Sequence, residues 1–168
     1  EVKSSVSALA SAHEQMEDAL DSVDDLSTHP KITRAHTLLA AAIPKAIVAH
    51  VDRDMVESAE SALKDVRNKL RKAAAADERL SKAVKFLVDH LALFHAHQKS
   101  QLKVVAVPAL RSAISLAKAA HVPAERVKEG ADKLAEAELA QGHVEDATLR
   151  LSRASKAAVD ALSRATID

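Results

Sequence analysis

The sequence is poor in the residues on which many folds and active sites depend. It contains no Cys, Trp or Tyr, and only two Phe and two Gly among 168 residues. The lack of Cys excludes disulfides, thiolate zinc sites, iron–sulfur clusters and cysteine nucleophiles. Because β-sandwiches and barrels need aromatic and β-branched residues in strands and glycine at turns, this composition argues against them. Base-stacking surfaces for nucleic acid are excluded as well, since they require aromatic side chains.

The charge of the chain is balanced, with 24 basic and 24 acidic residues. A net charge of zero predicts no attraction to nucleic acid or to anionic lipid. No apolar run approaches the 18 or so residues that cross a bilayer, so no transmembrane segment is predicted. The chain begins at Glu1 instead of Met, and we expect that a leader peptide or a tag was removed.

Helical periodicity runs along almost the whole chain, which contains 36 Ala residues. Pro44 predicts a kink or break near Ile43, Asp77 is a candidate N-cap, and Gly142 is expected to end a helix. The last predicted helix carries the apolar stripe Val144, Ala147, Leu151, Ala154, Ala158, Ala161 or Leu162, and Ala165. The sequence therefore predicts an all-α antiparallel bundle of six to seven helices joined by short loops, in one domain over residues 1–168.

Two predicted hairpins, residues 17–48 and 128–159, resemble each other. The spacing Ala35-Leu39-Ala42 recurs as Ala147-Leu151-Ala154, at an offset of 112 residues. Echoes of this kind occur in helical-repeat proteins, although any Ala-rich hairpin produces them too. A hairpin pseudo-repeat is therefore one interpretation.

The same segments resemble a known family. Lys128 to Ala135, followed by Ala140-Gln141-Gly142 and Ala147, is similar to the helical hairpin of YfdX-type bacterial envelope proteins. Ala19-Leu20 with Ala35, Leu39 and Ala42 looks like another such hairpin. The resemblance implies an all-helical, periplasmic or secreted protein tied to stress, and it carries over no catalytic residue. Tetratricopeptide-like hairpins and a mechanically loaded bundle of the talin or vinculin kind remain alternatives, as does a cytoplasmic location.

Enzyme signatures are missing from the sequence. Gly130 and Gly142 are the only glycines, so no phosphate-cradling loop exists. There is no Glu-x-x-His, no His-Glu-x-x-His and no Gly-x-Ser-x-Gly. A non-enzymatic protein is predicted, with an enzyme whose site is assembled in space as a further alternative.

The nine histidines are the unusual feature of this composition. Helical spacing places His36 and His50 on one face of the second helix, and His90 and His97 on one face of the fourth. Residues seven or fourteen apart on one helix lie too far apart to share one metal, but imidazoles from facing helices can meet. His36, His50, His90 and His97 are therefore candidate ligands for haem iron or zinc. The competing interpretation is that each is a core-edge residue bonded to a carbonyl group or water.

Histidines also predict a response to acid. If imidazoles are buried, their pKa values in the folded state lie below the unfolded value near 6.5, and stability is lost as the pH falls through them. The preferred function is a binding or scaffold protein, pH-responsive through its histidines and acting on a protein partner or as a homo-oligomer. A His-ligated metal or haem carrier is the alternative.

Overall fold

The computed structural model describes residues 2–95 and 102–165, and all regular elements in these ranges are helical. The helices are α1 (Val2–Asp21), α2 (His29–Val48), α3 (Arg53–His95), α4 (Val107–Ala119) and α5 (Ala124–Ala165). A π-helical turn, Leu102–Ala106, leads into α4. The all-α prediction is confirmed. The described residues form five α-helices instead of six or seven, because two pairs of predicted helices are continuous.

The first continuous pair is α3, which was expected to break near Asp77. Residues 73–76 are four consecutive alanines, and neither Gly nor Pro interrupts α3, so its propensity is high through the expected break. Asp77 does not cap a helix. Its Oδ1 accepts a hydrogen bond from Nε of Arg126 in α5, 3.2 Å away.

The second continuous pair is α5, which contains Gly142 in its interior. The predicted turn there, and with it the hairpin 128–159, is wrong. One glycine costs a helix only about 1 kcal/mol, and the four residues before Gly142, from Glu138 to Gln141, are all good helix formers. The echo at 112 residues therefore compares a real hairpin, residues 17–48, with part of a single helix.

The predicted break near Ile43 is also wrong, because α2 runs through Pro44 to Val48. Proline removes one backbone hydrogen bond from the helix. Pro44 is exposed, so water can reach the carbonyl group that loses its partner. Ile43 itself is buried and packs in the core.

Helix α3 connects two separate hydrophobic cores. The first core lies between α1, α2 and the first part of α3, with Met16, Ile32 and Leu39 fully buried. The second lies between the later part of α3, α4 and α5, with Leu80, Leu87 and Leu110 fully buried. We name residues 2–71 the first unit and residues 72–142 the second unit, because one pattern repeats between them at a distance of 71 residues.

The repeat is plain in both sequence and burial. Seven of the thirteen residues in 39–51 are identical to those in 110–122. The shared pattern is Leu-x-x-Ala-Ile-x-x-Ala-x-x-Ala-His-Val. Corresponding buried pairs are Leu39 and Leu110, Ala42 and Ala113, Ile43 and Ile114, Ala46 and Ala117, and Val51 and Val122. Each unit thus uses the same face of its middle helix to build its core.

The turn that ends the middle helix is the same in both units. His50 N–H donates to the Ile47 carbonyl at 3.2 Å and Val51 N–H to that of Ala46 at 3.0 Å. In the second unit His121 and Val122 make the same two bonds, to Lys118 and Ala117 at 3.2 and 3.0 Å. This is the Schellman arrangement, with the histidine at the position that usually holds glycine. Accordingly His50 and His121, both at φ 57°, are the residues with positive φ within the described ranges.

Candidate functional site

The second half of α5 continues the repeat beyond the second unit. Residues 143–165 stand 71 positions after 72–94, which form the first helix of the second unit. Four positions keep the same residue in α1, α3 and α5: Leu9, Leu80 and Leu151; Ala12, Ala83 and Ala154; Asp18, Asp89 and Asp160; Leu20, Leu91 and Leu162. The end of α5 therefore has the pattern of the first helix of a third unit.

This segment of α5 has an apolar stripe that nothing covers within the described part of the chain. We name Val144, Ala147, Leu151 and Ala154 the open face. Every residue from 142 to 157 is exposed, and Leu151 is 72% exposed. Its counterpart Leu80 in α3 is only 1% exposed. The sequence predicted this stripe as an ordinary helix seam, and the structure places it in solvent.

The covered counterpart shows what kind of surface fits such a face. Leu80 packs against Gly130 of α5. A Cβ atom added to Gly130 would lie 2.9 Å from Cδ1 of Leu80 and 3.4 Å from Cγ1 of Ile114. A very small residue on the third helix therefore lies between the leucine of the stripe and a branched residue on the middle helix of the unit.

Hydrogen bonds and ion pairs of Arg126 connect α5 to α3 along the edge of this covered face. The Arg126 guanidinium donates from Nε to Asp77 at 3.2 Å and from an Nη atom to Oγ of Ser81 at 2.6 Å. It also pairs with Glu129 one turn along α5. The hydrogen bond and charge of Asp77, with the charge of Glu129, raise the pKa of Arg126. The residues 71 positions after Asp77 and Ser81 are Thr148 and Ser152, so the open face retains the hydroxyl and lacks the acid.

Residues of both units also line a cavity of about 560 Å³ away from α3. One wall is the start of α2 with the residues just before it, including His29 and Pro30, and the other is the end of α4 with the turn that follows, including Lys118 and His121. Nδ1 of His29 is shielded from solvent and has no hydrogen-bond partner in the described structure. The cavity is therefore shared by the two units.

The candidate ligands His36 and His50 do not share a helix face. His36 is half-buried in the middle of α2, whereas His50 lies beyond the end of the helix with positive φ. The Schellman turn moves His50 off the extrapolated stripe. The prediction of one common face is therefore wrong for this pair.

His90 belongs to the other unit, near the end of α3. Its Nδ1–H donates to the Phe86 carbonyl at 3.0 Å, and the two rings are 4.1 Å apart between centroids. This is the environment of a core-edge histidine. His97 lies outside the described residues. Among the residues that the structure describes, no group of three or more His, Asp or Glu is arranged to hold a metal ion.

The predicted acid response assumed buried histidines, and no histidine whose exposure is described is fully buried. His50 and His143 are exposed, and His13, His29, His36, His90 and His121 are only half-buried. A pKa that lies clearly below its usual value belongs instead to the carboxyl group of Asp25, in the loop between α1 and α2. Hydrogen bonds from Lys31 and from the side chain and backbone of Ser27 lower the pKa of Asp25 from 3.8 to about 2.

Comparison with known proteins assigns no family to this chain. No family model, curated protein or solved structure matches it significantly. None of the helices in the described ranges is long and apolar enough to cross a membrane. The resemblance to YfdX-type proteins stays a prediction, and functional reasoning depends on the geometry above.

Sequence reasoning missed the most informative feature of this site, which is the distance of 71 residues. The signal was present in Ala49-His50-Val51 and Ala120-His121-Val122, a tripeptide that occurs twice. Comparing hairpins by their Ala and Leu spacing instead aligned residues 35–42 with residues 147–154, in the uncovered part of α5.

Proposed function

We propose that this protein is a non-enzymatic scaffold built from tandem three-helix units, and that it binds a protein partner through the open face of α5. The observation that carries the proposal is the contrast between Leu151, 72% exposed, and Leu80, 1% exposed, at equivalent positions of one repeat. A contiguous exposed apolar stripe is a common mark of a protein interaction site. Repeat proteins present such surfaces because each unit contacts only its neighbours.

Site-specific crosslinking tests this function. A photoreactive phenylalanine analogue at position 151 should form an adduct with a partner protein in the cells from which the chain comes. The same analogue at position 149 is the matched control, since Leu149 is also exposed but lies on the other side of α5. A purified partner should then bind saturably to the wild type and to Leu149→Glu, and weakly to Leu151→Glu.

Adducts at both positions alike, or at neither, would contradict docking on the open face. Native mass spectrometry with added zinc and haem tests the alternative of a His-ligated carrier. Uptake of either at fixed stoichiometry, lost in a double substitution of His90 and His97, would support the carrier. No geometry among the described residues favours it over the scaffold.

A further inference from the structure

We infer that the partner for which the open face is shaped is another unit of this same repeat: a helical hairpin equivalent to α4 and the first half of α5. This inference rests on the proposed function and identifies the occupant of the docking face. It follows from continuity with an interface that the molecule already contains. In the second unit, the stripe of α3 from Ala76 onward packs in one core with residues of this hairpin.

The first argument is the register of the stripe. Val144, Ala147, Leu151 and Ala154 stand 71 residues after Ala73, Ala76, Leu80 and Ala83. Three of these four pairs are identical, and the counterparts in α3 are buried or half-buried. The open face thus has the shape of a surface that is covered one unit earlier.

The second argument is the residue that faces the central leucine. Leu80 tolerates only a very small neighbour on α5, because even the Cβ of an alanine at Gly130 would approach within 2.9 Å. The hairpin that covers Leu151 as closely should therefore carry Gly at this place in its second helix. The first unit holds Ala59 at the position of Gly130, and its leucine, Leu9, is 40% exposed.

The third argument is the polar edge. Arg126 of the covering hairpin bonds to Ser81, and Ser152 offers the same hydroxyl group on α5. Thr148 replaces the Asp77 carboxylate, so the arginine of a covering hairpin would lose one ion pair. Restoring an acid at position 148 therefore tests this contact specifically.

The test adds a covering hairpin to the full chain. Residue 168 corresponds to residue 97, so a second copy of residues 98–142 attached directly after Asp168 continues the repeat in register. The added segment should gain helical circular dichroism and resist limited proteolysis as the second unit does. Leu151→Glu in this extended chain should abolish both effects. Leu149→Glu should leave them unchanged, because the counterpart of Leu149 is the exposed Glu78.

Two further variants of the extended chain separate specific docking from general stickiness. Replacing the glycine of the added copy that corresponds to Gly130 by leucine should prevent docking, since no space exists for its side chain. Thr148→Asp should raise the midpoint of thermal unfolding of the extended chain by restoring the ion pair with the added arginine. In the chain without the added hairpin, the same substitution should not raise the midpoint.

An added segment that stays protease-sensitive, or docks equally well with Leu151→Glu, would overturn the inference. A wild-type dimer in sedimentation equilibrium that Leu151→Glu dissociates and Leu149→Glu does not would also overturn it, because a second copy would then be the occupant. In either case a partner crosslinked at position 151 would leave the proposed function standing. If crosslinking also fails, both fall.

Discussion

The two units follow one pattern, yet the first and third helices approach each other differently in each. Leu80 in the second unit is 1% exposed and lies against Gly130, whereas its counterpart Leu9 is 40% exposed. The residue of the first unit at the position of Gly130 is Ala59. A difference of one methyl group on the third helix thus accompanies a large difference in how far the leucine of the first helix is buried. We expect the size of this small residue to set how closely the first and third helices of a unit approach.

The largest expected effect comes from replacing the leucine that occupies equivalent positions in the two middle helices. Leu39 and Leu110 are both fully buried at equivalent positions. We expect Leu39→Ala and Leu110→Ala each to lower the free energy of unfolding by about 2–5 kcal/mol, through lost burial and the cavity left behind. Chemical denaturation of the two variants measures this. A loss below about 1 kcal/mol in only one of them would show that the units do not share one core design.

The two glycines of α5 provide the next test, with opposite expected signs. Gly130→Ala gains about 1 kcal/mol of helix propensity, but overpacking against Leu80 costs about 1–3 kcal/mol, so we expect a net loss. Gly142→Ala meets nothing within 4 Å and should raise the free energy of unfolding by about 1 kcal/mol. Thermal unfolding of both variants checks the pair. Stabilisation by Gly130→Ala would contradict the close approach of α5 to α3.

The repeated turn allows a smaller and symmetric test. His50 and His121 occupy the left-handed conformation that glycine adopts without steric cost. Each substitution to glycine should stabilise the protein by up to about 1 kcal/mol, and the two gains should be similar. In a protein of this size that corresponds to an increase of roughly 2–4 °C in the unfolding midpoint. A clear loss at one site alone would mean that its imidazole makes a contact which the other lacks.

The smallest expected effect sharpens a difference between the units. The Asp25 carboxylate accepts hydrogen bonds from Ser27 and Lys31 in the first unit. The second unit has Ala96 and Leu102 at the positions that correspond to Asp25 and Lys31. The folded pKa of Asp25, about 2, lies below the unfolded value of 3.8. The stabilisation is therefore present above about pH 4 and is lost as the pH falls toward 2.

Unfolding midpoints of the wild type and Asp25→Asn, measured from pH 6 to pH 2, test this dependence. We expect the wild type to be slightly more stable at pH 6 and the difference to vanish near pH 2. A difference that stays constant over this range would show that the carboxylate charge is not its cause. Because Asp25 is exposed, solvent screening keeps the effect small.

Much of the fold could be predicted from the sequence, and the errors have physical causes. Apolar spacing and missing aromatics were sufficient for the all-α class, and Pro30 and Pro123 lie close to true helix starts. Asp77 and Gly142 misled the prediction because each is a boundary residue only when its neighbours also stop the helix. Here four alanines precede Asp77, and four good helix formers, Glu138 to Gln141, precede Gly142. Local propensity outweighed the single signals.

The candidate site could be predicted only in part. The stripe of Val144, Ala147, Leu151 and Ala154 was visible, but periodicity marks a face that is suited to packing and does not show whether anything packs on it. Histidine spacing was less informative, because a stripe was extrapolated through the turn at His50. The repeated Ala-His-Val was the strongest available signal, and its meaning became evident once both tripeptides were seen to close the same turn.

Hydrogen exchange tests the central claim most directly, namely that the second half of α5 is the first helix of a repeat unit. Amide protection of residues 143–157 would be compared with that of residues 72–86, in the chain as it is and in the chain extended by residues 98–142. We predict rapid exchange of 143–157 in the first chain and protection approaching that of 72–86 in the second, because a covered helix opens rarely. Equally rapid exchange in both chains would contradict the account.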